Sequence, residues 1–232
     1  KRLDASDREL TIKEQIGDKR GMAQSLNGIG IMHRSKGDYD KALDYYGRSL
    51  AILEDIGDKR LMGHSLNSIG LVHSTKEDYD TALDYLGRSF AIFEEIGVRR
   101  GMVQSLFNTG LVYYDKGNYE KAVDYLVKSL AMQKEIGLEG LDLYTIIYLH
   151  LTYKHLGKDY DEKEIHALIK EEENIGFELN LRLYELLDDK SYLKTAYNQV
   201  QEKASAMEEK LKTKFLNYPI PKAIVEEWEK VK

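Results

Sequence analysis

Histidine is the side chain in this sequence best suited to binding a metal ion or moving a proton. Six are present: His33, His64, His73, His150, His155 and His166. His150 and His155 are five residues apart, which does not place them on one helix face for chelation. The sequence has no cysteine, no His-Glu-x-x-His motif, no glycine-rich phosphate loop and no Ser/His/Asp order of a hydrolase. We therefore predict a protein that is not an enzyme and uses neither a metal ion nor a cofactor.

Two of the histidines belong to a periodic position that carries ring side chains. His33 and His73 are forty residues apart, and the same step continues to Tyr113 and Tyr153. A position that accepts either an imidazole or a phenol is more typical of ring packing than of metal coordination. We predict that these rings stack inside the fold.

The composition limits the classes of partner. Of the 232 residues, 42% are hydrophobic and 32% are charged, and the net charge is −6. This acidic balance argues against nucleic-acid binding through phosphate contacts. The longest apolar run, residues 143–153, is too short to span a bilayer, and the absence of cysteine fits a reducing compartment. We expect a cytoplasmic protein with no nucleic-acid partner and no membrane partner.

One stretch of sequence recurs three times at a step of forty residues. The copies are "GDYDKALDYYGRSLAILEDIGDKR" (37–60), "EDYDTALDYLGRSFAIFEEIGVRR" (77–100) and "GNYEKAVDYLVKSLAMQKEIGLEG" (117–140). Glycines that follow an isoleucine mark the step at Gly17, Gly57, Gly97 and Gly137. Gly37 and Gly117, with Glu77 between them, mark a second turn halfway along each copy. A repeat of this length is typical of a solenoid or an array.

Both segments of each repeat have the periodicity of helices. The second segment places its apolar residues at three- and four-residue steps: Tyr39, Ala42, Leu43, Tyr46, Leu50 and Leu53. The first segment does the same with Leu26, Ile29, Gly30 and His33. Asp38, Asp78 and Asn118 precede the second segments, where an N-cap is expected. The alternation typical of strands is absent, so we predict an all-α fold.

The residues on these stripes resemble those of the tetratricopeptide repeat (TPR) family. That family places a large residue, Leu-Gly and Tyr in its first helix, and small residues at two crossings in its second. Its glycine and alanine are needed where two helices cross closely. The first segments supply Leu26, Ile29-Gly30 and His33; Leu66, Ile69-Gly70 and His73; Leu106, Thr109-Gly110 and Tyr113. The second segments supply Ala42, Tyr46 and Ser49; Ala82, Leu86 and Ser89; Ala122, Leu126 and Ser129. The resemblance implies a right-handed α-solenoid of TPR-like helical hairpins, in a forty-residue variant with long helices.

The repeat step divides the chain into six parts. They are the second helix of a truncated repeat (1–16), three TPR repeats (17–56, 57–96 and 97–136), a degenerate TPR-like repeat (137–176), and a C-terminal helical pair with a capping helix (177–232). A solenoid has to cover its last apolar face, which favours the cap. The alternative for the last part is a linker helix that leads to a further domain.

The resemblance also implies that the first helices line a concave groove. Its expected peptide-binding residues are Gln24, Asn27, Ile31, Arg34, His64, Asn67, Leu71, Gln104, Phe107, Asn108, Leu111, Tyr114 and Tyr144. The family's dicarboxylate clamp needs asparagine right after Leu-Gly together with lysines. In this sequence neither the asparagine nor the lysines stand at the clamp positions. An apolar row formed by Ile31, Leu71, Leu111 and Leu151 stands there instead. The row either anchors a partner or packs against neighbouring second helices.

These features favour a non-catalytic scaffold that binds a protein or peptide segment in the groove. The alternative function is a regulatory or sensor region that acts inside a larger signalling enzyme such as a cyclase, kinase or protease. Self-association through the N-terminal edge is a third hypothesis.

Overall fold

The computed structural model describes residues 2–138, 142–172 and 174–232, and every regular element in these ranges is an α-helix. The chain divides into two compact units, residues 1–138 (unit 1) and residues 139–232 (unit 2). The helices of unit 1 are α1 (Arg2–Ile16), α2 (Lys19–Ser35), α3 (Tyr39–Ile56), α4 (Lys59–Thr75), α5 (Tyr79–Glu95), α6 (Arg99–Asp115) and α7 (Tyr119–Glu135). The helices of unit 2 are α8 (Asp142–His155), α9 (Glu162–Glu171), α10 (Phe177–Leu187), α11 (Lys190–Ser205), α12 (Glu209–Leu216) and α13 (Pro219–Val231).

Unit 1 is a stack of helical hairpins. Helices α2 and α3, α4 and α5, and α6 and α7 pair as hairpins, and the second helices α3 and α5 also pack against α4 and α6, the first helices of the next hairpins. The first helices α2, α4 and α6 additionally contact one another in sequence. Because neighbouring elements lie closer together on the inner side of a curved stack, the first helices line the inner side of unit 1.

A glycine in each first helix allows the second helix of the same hairpin to cross closely. A Cβ atom added at Gly30 would lie 2.6 Å from the ring of Tyr46, which is itself fully buried. At Gly70 and Gly110 the nearest leucine atoms would lie at 2.9 and 2.8 Å. Real Cβ contacts are not this short, so a larger residue would force the helices apart. The expectation that glycine serves close helix crossings is confirmed at these three positions.

Buried serines tie each second helix to the first helix of its own hairpin, and in α3 and α5 they also meet a serine of the next hairpin. The hydroxyl of Ser89 donates to the carbonyl oxygen of Gly63 at 2.8 Å and lies 3.0 Å from the hydroxyl oxygen of Ser105. Ser49 and Ser129 donate to the equivalent first-helix carbonyls at 2.8 and 3.1 Å. A small polar side chain therefore fits the crossing and satisfies its own hydrogen-bonding group there.

The periodic rings stack within each hairpin, as the sequence predicts. His33 stacks on Tyr45, His73 on Tyr85 and Tyr113 on Tyr125, with ring centroids 5.3, 5.6 and 5.3 Å apart. A cation lies over each of these second-helix rings, from Arg48, Arg88 and Lys128. No group of three potential metal ligands occurs among the described residues. The recurring rings of unit 1 join the two helices of a hairpin.

The turn inside the second repeat contains a strained residue. Glu77 has a φ of 61°, whereas the equivalent positions in the other repeats are Gly37 and Gly117, with φ of 70° and 76°. A residue with a Cβ atom adopts this left-handed conformation at a cost of about 1 kcal/mol or more. This turn therefore favours glycine, and the second repeat has a glutamate there instead.

Unit 2 has its own core around the α10–α11 hairpin. The core residues are Leu181, Leu193, Ala196, Val200, Ala204, Phe215 and Ile224. Helix α13 packs against α11, and α8 packs against α10. Lys154 fixes the end of α10, because its ammonium donates to the carbonyl oxygens of Glu185 and Leu186 at 2.8 and 3.0 Å. Cations at a helix C-terminus satisfy its last carbonyls in this way.

Candidate functional site

The inner side of unit 1 carries one continuous row of side chains from each first helix. Their positions are three or four residues apart, which places them on the same side of each helix. We call this surface the first-helix face, formed by Gln24, Asn27, Ile31 and Arg34 of α2, His64, Asn67, Leu71 and Ser74 of α4, and Gln104, Phe107, Leu111 and Tyr114 of α6.

The apolar positions of this face are only partly covered. Ile31 is 48% exposed, and Leu71 and Leu111 are half-buried. Packing against second helices therefore does not account for Ile31. Leu151 departs from the expected row, because its side chain is fully buried within unit 2. The apolar row of the first-helix face is thus limited to three residues in unit 1.

Two asparagines predicted to contact a partner instead bind each other. The Nδ2 group of Asn108 donates to Oδ1 of Asn67 at 3.1 Å, and both residues are buried. This bond joins α4 to α6 directly beneath the face. A buried amide pair of this kind fixes the spacing of two helices, because separating it would leave two polar groups unsatisfied.

Asn27 lacks the bond that its equivalent Asn67 makes. Its Oδ1 atom is buried and accepts no hydrogen bond from the described residues. The counterpart of Asn108 one repeat earlier is Ser68, whose side chain is too short to form the same bridge. A buried carbonyl oxygen without a donor is unfavourable by about 1–3 kcal/mol. Asn27 therefore leaves one polar atom unsatisfied in the packing beneath the face.

His64 packs sideways against a buried ring. Its imidazole meets Phe93 edge-on, with ring centroids 5.0 Å apart. Phe93 fits between two glycines, since Cβ atoms at Gly63 and Gly101 would lie 2.7 and 2.4 Å from its ring. Burial lowers the pKa of His64, and the charge of Arg60 lowers it further. His64 therefore belongs partly to the packing of unit 1 and partly to its inner surface.

The third first helix gives the face its aromatic end. Phe107 and Tyr114 are both half-buried, and Tyr114 meets Tyr119 edge-on with centroids 5.7 Å apart. Gln24 and Gln104 are exposed, and Arg34 is half-buried. The face therefore changes from polar at α2 to aromatic at α6.

Tyr144, the remaining predicted binding residue, lies in α8 of unit 2. Its side chain is 38% exposed. Partial burial and the charge of Glu178 raise the pKa of its hydroxyl. The other twelve predicted residues belong to unit 1, where eleven form the first-helix face and Asn108 lies beneath it.

The comparison with protein families identifies the repeat. The tetratricopeptide repeat model matches residues 3–55 and 61–135, which is just over half of the chain. The chain belongs to the tetratricopeptide repeat family. This confirms the resemblance read from the crossing residues.

Three solved TPR-like structures show the same fold at low sequence identity. Apo RapI matches with a TM-score of 0.72 and 14% identity, over 98% of this chain and 92% of that one. Aspartyl phosphate phosphatase F from Bacillus subtilis matches with a TM-score of 0.70 and 14% identity, over 92% and 60%. A Rap protein complexed with competence and sporulation factor matches with a TM-score of 0.66 and 14% identity, over 94% and 66%. This TPR chain thus spans about two thirds or less of the length of two of these proteins.

No curated protein matches the sequence. Among the described residues, none of the helices is both long and apolar enough to cross a bilayer.

Proposed function

We propose that this TPR protein is a non-catalytic interaction scaffold that binds a segment of another protein on the first-helix face. The observation that carries the proposal is the chemical character of that face. It presents exposed apolar and amide groups together on the inner side of a helical stack, where Ile31 is half exposed and Gln24 and Gln104 are exposed.

The mixture of groups suits a polypeptide ligand. Amide side chains can donate to and accept from a peptide backbone, while the apolar row can receive side chains at intervals. Support also comes from the Rap protein of similar fold that was solved with competence and sporulation factor.

Affinity capture from a lysate of the source organism tests the proposal. The wild-type protein is compared with a Leu71→Arg, Tyr114→Ala variant, and circular dichroism confirms that the variant is folded. Val127→Arg is the matched control, because it places the same charge at an exposed apolar position of second helix α7.

We expect a protein that wild type and the Val127→Arg control both retain and that the face variant loses. If the same proteins are retained by all three, the first-helix face is not the binding site.

A further inference from the structure

We propose that the first-helix face takes an acidic amphipathic segment, whose carboxylates pair with Arg60 and Arg100. This inference rests on the proposed function and specifies the chemistry of the partner. A row of three arginines, Arg20, Arg60 and Arg100, carries it.

The arginine row lies one helical turn beyond the glutamine and histidine row of the face. Arg20, Arg60 and Arg100 each stand four residues before Gln24, His64 and Gln104, respectively, so the row continues the same side of α2, α4 and α6. The three arginines are exposed. Arg60 and His64 are four residues apart on α4, and the charge of Arg60 contributes to the lowered pKa of His64.

The first arginine shows which group such a position accepts. Nε of Arg20 lies 2.9 Å from Oδ2 of Asp58, the residue just before α4. The residues equivalent to Asp58 in the next two repeats are Val98 and Leu138. The sequence therefore keeps the cation in all three repeats and the carboxylate that pairs with it in one.

Arg60 and Arg100 make no ion pair within the part of the chain that the structure describes. The basic residues directly before them differ in this respect, because Lys59 pairs with Glu95 and Arg99 pairs with Glu135 in the same hairpin. Two arginines without an ion pair among the described residues thus stand on one edge of a face in a protein whose net charge is −6. A local basic row on an acidic protein selects for a negatively charged partner and steers it to this edge.

The spacing of the rows defines the rest of the ligand. Arg60 precedes Leu71 by eleven residues, which is about 16 Å along the helix. Two rows of the face lie between the arginines and the apolar residues: Gln24, His64 and Gln104, and Asn27, Asn67 and Phe107. A helical segment about 10–12 Å across that lies over these two rows meets the arginines on one side and the apolar residues on the other. The ligand therefore carries acidic residues along one side and apolar residues along the opposite side.

A random peptide library displayed on phage is the probe, and the full chain is the bait. Peptides are selected separately on wild type, on an Arg60→Glu, Arg100→Glu variant, and on a Lys41→Glu, Lys134→Glu control, and the selected peptides are then tested for binding to a Leu71→Arg variant. The control lysines are exposed on second helices, and both double variants change the net charge equally. Circular dichroism establishes that each bait is folded.

We expect wild type and the control to enrich peptides rich in Asp and Glu beside apolar residues. Fluorescence anisotropy on one such peptide should show binding about tenfold or more weaker to the arginine variant, because two exposed ion pairs become repulsions. Raising the salt concentration should weaken binding to wild type and to the control.

Two outcomes separate this inference from the proposed function. Selected peptides without acidic enrichment, bound equally by the arginine variant but lost by Leu71→Arg, would overturn the acidic partner and leave the binding face intact. Selection of no peptide, or only of peptides indifferent to Leu71→Arg, would overturn both.

Discussion

Two of the glycines in helix α2, Gly28 and Gly30, should respond differently to replacement by alanine. A Cβ atom at Gly28 would meet no atom within 4 Å, whereas a Cβ atom at Gly30 would lie 2.6 Å from the ring of Tyr46. Both positions are interior to the same helix. The same substitution therefore tests open space at one site and a close crossing at the other.

The size of the difference follows from the contact alone. Alanine is favoured over glycine in a helix interior by about 1 kcal/mol, and this gain is common to Gly28→Ala and Gly30→Ala. Inserting a methyl group into a packed core costs about 1–3 kcal/mol. Tyr46 is fully buried. We expect Gly28→Ala to raise the free energy of unfolding by about 0.5–1 kcal/mol, and Gly30→Ala to be about 1–3 kcal/mol less stable than Gly28→Ala.

Urea unfolding followed by circular dichroism measures both variants against wild type, with the slopes compared before the free energies. A double-mutant cycle with Tyr46→Ala assigns the cost to the ring, since removing the ring should make Gly30→Ala harmless. If Gly30→Ala proves as stable as Gly28→Ala, the close crossing of α2 and α3 is wrong.

Three further predictions concern single residues. Ser68→Asn should supply the missing donor to Asn27 and raise the free energy of unfolding by about 1 kcal/mol in urea titrations; an unchanged midpoint would contradict the bridge. Glu77→Gly should raise the thermal midpoint, because glycine adopts the positive φ of this turn at little cost; a lower midpoint would mean that the turn is not strained. Burial lowers the pKa of His150, partly opposed by Glu164, so its stabilising contribution is present above about pH 6.5 and is lost as the pH falls through the folded-state pKa. Urea midpoints at pH 7.5 and 5.5 should therefore differ less in a His150→Phe variant than in wild type, and an equal difference would exclude this histidine.

The repeat and its helices were predictable because their signals are local in sequence. Glycine at the turns and crossings, together with apolar residues at three- and four-residue steps, depends on neighbours within one hairpin. Gly30 could be assigned to a close crossing because only a residue without a Cβ atom fits there. The ring position of His33 and His73 was predictable for the same reason, since it recurs at a fixed step.

The side-chain partners on the inner surface were not predictable, because they depend on distant residues. The bond between Asn67 and Asn108 joins the first helices of two successive hairpins, forty-one residues apart in the chain. Gly63 and Gly101 leave room for the ring of Phe93, and the other repeats lack this combination of residues. The role of the arginine row was not predictable, because Arg60 and Arg100 lie beside turns, where charged residues are common. Only the pairing of Arg20 with Asp58 distinguishes them.

The end of the apolar row was also not predictable, because it depends on tertiary packing. Leu151 stands at the same repeat step as Leu111, yet it is buried in unit 2. The repeat pattern weakens after residue 137, so equal spacing in sequence no longer implies an equal environment.

The most direct test of the binding face is photo-crosslinking in cells of the source organism. A benzophenone amino acid is placed at Leu71 or Leu111 on the first-helix face, and at Val127 on the second helix α7 as the control. We expect discrete adducts from positions 71 and 111 and none from position 127. Adducts from Val127 alone, or from none of the three positions, would contradict a binding site on the first helices.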